Sequence, residues 1–150
     1  MNEAWRIMAA EKFPELAEEL TESDSPMYWW IQLGHAFNRA YEEPRDEGMI
    51  CRVYKYADWC LEQEQPDTLD AGQHLLTCVA VAFWEDIPRN PAARADMPRW
   101  FTYQEILLNR PFFSYHLTDS EFEELLALFP HSNRRKDRRE SKRRKRKGKA

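Results

Sequence analysis

The sequence predicts an all-α fold with a basic appendage, and three observations carry that prediction. Apolar residues recur with the helical period of 3.6 over most of the first 130 positions, and few stretches alternate as strands do. Glycine is scarce, at 4 residues, while N-capping residues and first-turn prolines recur at the starts of the periodic segments. Charge is segregated: from Arg134 onward there are 12 Lys and Arg against Asp137 and Glu140, a net +10, which leaves −14 for residues 1–133. A chain of 150 residues can bury one core, so the expected organisation is an acidic helical domain, 1–133, and a disordered basic tail, 134–150. The helices are expected to form antiparallel hairpins, as an irregular bundle or a short solenoid.

Trp5, Met8, Ala9 and Lys12 open the first helix, and Phe13-Pro14 restarts it as a second short one, Pro14 to Leu20. Ser25-Pro26 supplies an N-cap and a first-turn proline for a helix to about Tyr41, with Trp30, Leu33, Phe37 and Tyr41 on one face. Pro44 is expected to open the next helix, ending near Gln63. Its stripe of Ile50, Val53, Tyr54, Ala57 and Leu61 is amphipathic. A turn at Pro66-Asp67 precedes a helix from about Thr68 to Asp86, whose centre, LLTCVAVAF, is apolar on nearly every face and reads as a helix that others surround. Asn90-Pro91 begins a brief helix expected to stop before Pro98. Thr102-x-x-Glu105 and Thr118-x-x-Glu121 are capping boxes. The first precedes Ile106 and Leu107 as an apolar side; the second starts a helix to about Phe129 with Phe122, Leu125, Leu126 and Phe129 inward.

Signals for catalysis are sparse, and the chain reads as a non-enzyme needing no cofactor. Cys51 and Cys60 lie nine residues apart on one helix, about 900° of rotation, so they point to opposite faces and cannot share a metal. No Cys-x-x-Cys, His-x-x-x-His or Glu-x-x-His spacing occurs. A nucleophile pair of Cys60 with His74 across the Pro66 turn defines a small hydrolase or transferase reading; buried inert thiols are the plainer alternative. His35 and Arg39, with Asn38 and Glu42 adjoining, are a candidate polar face on the third helix, with a solvated face or a helix-packing hydrogen bond as the plainer reading. The acidic clusters Glu15, Glu18, Glu19, Glu22, Asp24 and Glu42, Glu43, Asp46, Glu47 lack a calcium-loop pattern and read as a soluble negative surface or a docking surface for a basic partner.

Tyr28-Trp29-Trp30 places three aromatics at consecutive helical positions, about 100° apart, so all three cannot face one core. They are the candidate partner-binding residues. Trp100, Phe101, Tyr103, Phe112, Phe113 and Tyr115 are a candidate cover over the core.

The tail holds the candidate polyanion-binding residues: Arg134, Arg135, Lys136, Arg138, Arg139, Lys142, Arg143, Arg144, Lys145, Arg146, Lys147 and Lys149. Six consecutive cations, Lys142 to Lys147, repel one another and favour an extended hydrated chain. Such a strand attracts nucleic acid by counterion release, without sequence preference and, with no interleaved aromatic, without base stacking. Anionic lipid and the acidic domain itself are the other expected contacts, KRRKRK also looks like a nuclear-localisation signal should the organism have a nucleus, and a merely solubilising tail is the plainer alternative.

The N-terminus has an early acid and no long apolar run, unlike a secretion signal, and three unpaired cysteines suit a reducing cytoplasm. The segments VYKYADWCLEQ (Val53 to Gln63) and LLTCVAVAFWEDIP (Leu75 to Pro88) resemble a family of small, uncharacterised bacterial all-helical proteins. Its pattern is a Tyr-aromatic-Ala-x-Trp-Cys helix followed by a Val-Ala-Val-x-Phe-aromatic-Glu helix. The resemblance implies a bacterial cytoplasmic domain of unknown function with Tyr54, Trp59, Cys60, Phe83 and Glu85 at pattern positions; the tail lies outside it. The leading expectation is a non-enzymatic helical protein-interaction module with a polyanion-attracting tail. The alternative is a nucleic-acid-associated accessory protein acting through that tail.

Overall fold

The computed structural model describes residues 3–130, whose regular elements are all helical, with no strand among them. The helices are α1 (Ala4–Lys12), α2 (Ala17–Glu22, after a 3-10 turn Pro14–Leu16), α3 (Pro26–Ala40), α4 (Glu47–Glu62), α5 (Leu75–Cys78), α6 (Pro91–Trp100), α7 (Tyr103–Leu108), α8 (Arg110–Phe113) and α9 (Asp119–Ala127). A π-helical segment, Val79–Trp84, continues α5, and a 3-10 turn, Ile87–Arg89, leads to α6.

Helix starts follow local hydrogen bonding. Ser25 accepts from the Tyr28 N–H, and Asn90 accepts from both Ala92 and Ala93. Both capping boxes form reciprocally, Thr102 with Glu105 and Thr118 with Glu121. At the second, the Thr118 amide and hydroxyl hold the Glu121 carboxyl below its ordinary value. Its stabilising contribution is therefore complete above the unfolded carboxylate value and is lost as pH falls through the folded one.

Three boundaries differ from the sequence reading. α4 begins at Glu47 rather than Pro44, because Asp46 caps it by accepting from the Met49 N–H while its own amide donates to Ala40 O at 2.8 Å. Residues 68–74 are turns rather than the start of the fifth helix. The Gly72 carbonyl is drawn to the Met27 N–H at 3.2 Å, and α5 starts only where Gln65 Oε1 caps the Leu75 N–H at 2.7 Å. α6 runs through Pro98 to Trp100, closed by Phe101 N–H donating to Met97 O at 2.9 Å.

α3 packs against α4, α5 and the π-helical segment, and it carries the centre of the core. Trp30 is fully buried and stacks on Phe83 of the π-helical segment (centroids 5.2 Å apart) while packing against Tyr56 of α4 (5.4 Å). Phe37 meets the same Phe83 edge-on at 5.0 Å. The expected inward residues Leu33, Phe37, Tyr41, Ile50, Val53, Tyr54, Ala57, Phe122, Leu125, Leu126 and Phe129 are all buried, and Leu61, at the end of the α4 stripe, is only half-buried. The fifth helix is less enclosed than its composition implies. Leu76 and Val81 remain largely exposed, as do Leu107 and Leu108 of α7. Of the expected aromatic cover, Phe101 and Phe113 belong to the core, Phe113 stacked on Trp84 and Phe101 edge-on to it, whereas Tyr115 lies on the surface.

Asp96 ties α6 to the rest of the fold. Its Oδ2 accepts from the Tyr41 hydroxyl (2.6 Å) and the Trp100 indole (3.3 Å) and pairs with Arg99 (3.2 Å), which in turn reaches Glu47 (2.9 Å). Burial, and then this hydrogen bond to Asp96, push the Tyr41 phenol well above its ordinary value. Asp96→Ala leaves the Tyr41 and Trp100 donors unpartnered, and urea unfolding should show a loss of about 2–3 kcal/mol. With Tyr41→Phe already in place, the same change should cost less.

Candidate functional site

The Ser25 cap and Pro26 fix the phase of α3, and that phase sorts its side chains. Trp29, Trp30, Leu33 and Phe37 turn inward, and Tyr28, Ile31, His35 and Asn38 form an exposed outer stripe. Tyr28 and Ile31 are each 44% exposed. Beside the stripe, a groove of about 490 Å³ runs between α3 and the chain from Ala82 to Asn90. Buried Phe37, Ala82, Phe83 and Ile87 give it an apolar floor; Ile31, His35, Asn38, Asp86, Arg89 and Asn90 line its sides.

One wall is the π-helical segment, in which the Glu85 N–H reaches back to Ala80 O at 3.1 Å. This register is rare and is frequent at functional sites. It lets adjacent Phe83 and Trp84 both bury, the first against Trp30 and the second against Phe113. Val81 is left outside.

The polar groups of the groove are tied together across its two walls. The Asn90 Oδ1 is committed to capping α6, so its Nδ2 faces α3 and donates to Asn38 Oδ1 at 3.0 Å. That bond in turn leaves the Asn38 Nδ2 as an open donor. Asp86 Oδ1 lies 3.5 Å from both the Arg89 guanidinium and His116 Nε2. Burial raises the neighbouring Glu85 carboxyl, and His116 acts in the opposite sense.

The expected partner-binding triad is therefore corrected. Trp29 and Trp30 are sealed in the core at 0% exposure, and Tyr28 alone of the three reaches the surface. Because α3 has partners on several sides, two adjacent indoles find cores to fill. Of the candidate polar face, His35 and Asn38 line the groove, where Asn38 makes a packing hydrogen bond with Asn90, and Arg39 and Glu42 are exposed nearby. Ile31 and Arg89, which help complete it, carried no signal and Asn90 only that of an N-cap, because their proximity depends on how the π-helical segment packs on α3. The twelve basic positions from Arg134 to Lys149 lie outside the described residues.

Cys60 is 1% exposed, and burial pushes its thiol up to about 12, partly offset by the nearby Trp30 indole and Tyr56 hydroxyl. His74 instead faces Thr77 Oγ1 at 3.1 Å. A sealed, protonated thiol is no nucleophile, which removes the Cys60–His74 reading. Cys78 is likewise buried, its thiol also pushed up to about 12, and Cys51 is half-buried. A thiol reagent under native conditions should therefore modify Cys51 in minutes, with Cys60 and Cys78 reacting only after denaturant is added. Among the described residues no group of three or more His, Cys, Asp or Glu is placed to hold a metal ion.

No protein-family model, curated protein or solved structure matches this chain. Among the described residues no helix is long and apolar enough to cross a membrane.

Proposed function

We propose that this chain is a helical protein-interaction module, acting in the cytoplasm, whose partner seats along the outer stripe of α3 and the adjoining groove. The observation that carries the reading is the exposed Tyr28–Ile31–His35–Asn38 stripe beside an apolar-floored groove. Most of the helix's other faces are consumed by packing, so this one stands out as uncovered apolar surface rimmed by polar groups. The basic positions 134–149 supply loose attachment to polyanions, and the net −14 of residues 1–133 keeps nucleic acid off the helical body.

Affinity capture with wild type, Ile31→Glu and a chain ending at Asn133 tests this. A partner held by wild type and the shortened chain but lost with Ile31→Glu supports the module. If everything captured is released by nuclease and lost on shortening, the chain is instead a nucleic-acid-associated accessory protein.

A further inference from the structure

We propose that the first basic block of this chain, Arg134 to Arg139, docks on the chain's own helical body, in the groove at the end of α9 and along the carboxylates beside it. The docking goes beyond the interaction reading above; its consequence for polyanion binding rests on that reading.

The groove lies where the described chain stops. It encloses about 580 Å³ and is lined by Tyr103, Glu123 and the run from Leu126 to Pro130. Leu128 is 47% exposed there and Tyr103 is half-buried, so apolar surface remains to be covered. Pro130 itself is part of the wall, and Arg134 follows four residues later. Four residues reach at most about 14 Å, and the nine to Arg139 about 32 Å. The block is thus held beside the groove by its own tether, at an effective concentration on the order of millimolar.

Charge selects the same occupant. Glu123 and Glu124 stand exposed on α9, and Tyr103 of the groove lies two residues before Glu105. Burial, and then the carboxylates of Glu62 and Glu105, raise the Asp58 carboxyl, so α7 and the end of α4 bring like charges together. Against these five carboxylates, α7 and α9 carry no cation. On α4, Arg52 is engaged by Lys12 O and Glu15, which leaves Lys55. Neither α4 nor α9 has a basic residue in its last turn, where the helix dipole favours one. The block supplies Arg134, Arg135, Lys136, Arg138 and Arg139 against Asp137. Arginine also suits Tyr103. This fold lays Arg45 over Tyr41 at 4.9 Å and Arg110 over Phe122 at 4.7 Å, whereas among the described residues no cation covers Tyr103.

Competition follows from the docking. With the first block engaged, seven cations between Lys142 and Lys149 are left for phosphates; released, all twelve are.

The test compares full-length ¹⁵N-labelled protein with a full-length variant carrying Arg134→Gln, Arg135→Gln, Lys136→Gln, Arg138→Gln and Arg139→Gln. Backbone amides of Asp58, Glu62, Tyr103 and Glu123 should differ between the two at about 20 mM salt and coincide at about 500 mM, where screening is short-ranged. The differences should persist unchanged on tenfold dilution. Fluorescence anisotropy with a homopolymeric oligonucleotide should then give a slope of log K against log salt of about −5 for the native chain. Asp58→Asn, Glu62→Gln and Glu123→Gln together should steepen it to about −8 and tighten binding severalfold at low salt. An equal neutralisation elsewhere, Glu11→Gln, Glu18→Gln and Glu22→Gln, should leave the slope near −5.

Coincident amides at low salt would overturn the docking, as would differences centred on Glu18 and Glu22 or on Glu42 and Glu43. Differences that fade on dilution would also overturn it, since the block would then be bridging two copies. Equal steepening by both sets of neutralised carboxylates would reduce the effect to overall charge and remove the assigned face. Should no variant bind the oligonucleotide, polyanion attachment falls while the amide comparison still judges the docking.

Discussion

Trp30→Ala should lower the melting temperature by roughly 10–20 °C, or leave the chain unfolded at 37 °C. Trp30 is fully buried, stacks on Phe83 and packs against Tyr56, so its loss opens a cavity where α3, α4 and the π-helical segment meet. Large-to-small changes of a buried tryptophan cost about 3–5 kcal/mol, a large share of the ~5–15 kcal/mol that holds a typical domain together. The neighbouring change Tyr28→Ala lies on the outer stripe and should cost within about 0.5 kcal/mol. Thermal melts followed by far-ultraviolet circular dichroism separate the two. Equal effects from both would contradict the inward phase of α3.

Ending the chain at Asn133 should abolish its affinity for single-stranded nucleic acid. If most of the twelve cations between Arg134 and Lys149 meet phosphates, log K should fall against log salt with a slope of about −5 to −8. Between 50 and 200 mM salt, affinity should drop by roughly a thousandfold or more. The shortened chain carries a net −14, and several of its basic groups are engaged: Arg6 on Leu20 and Ser23 carbonyls, Arg52 on Lys12 O and Glu15, Arg99 on Glu47 and Asp96. Fluorescence anisotropy with a homopolymer and a mixed-sequence oligonucleotide should give the same slope for both. Strong binding by the shortened chain would place the nucleic-acid surface on the helical body instead.

Features that act within three or four residues were legible in advance. The caps at Ser25, Asn90, Thr102 and Thr118 each close onto an amide two or three positions away, so the residue types alone predict them. The inward stripes of α3, α4 and α9 follow from helical period and burial of apolar surface. Where local signals competed, the sequence reading failed. Pro44 is a good first-turn residue, but Asp46 is the better cap; Pro98 is a poor interior residue, yet α6 continues past it because its end is anchored through Asp96 and Trp100.

By itself, then, the sequence determined the helical class, most helix starts, the inert placement of Cys60 opposite Cys51 and the division of charge along the chain. Only the tertiary structure decided the π register of Val79–Trp84, the burial of both Trp29 and Trp30, and the groove that brings Ile31, His35 and Asn38 to Asp86, Arg89 and Asn90. The physical reason is range. A cap or a stripe is satisfied by neighbours on the same helix, whereas a groove exists only where side chains some fifty residues apart choose how closely two helices can pack, as Asn38 and Asn90 do.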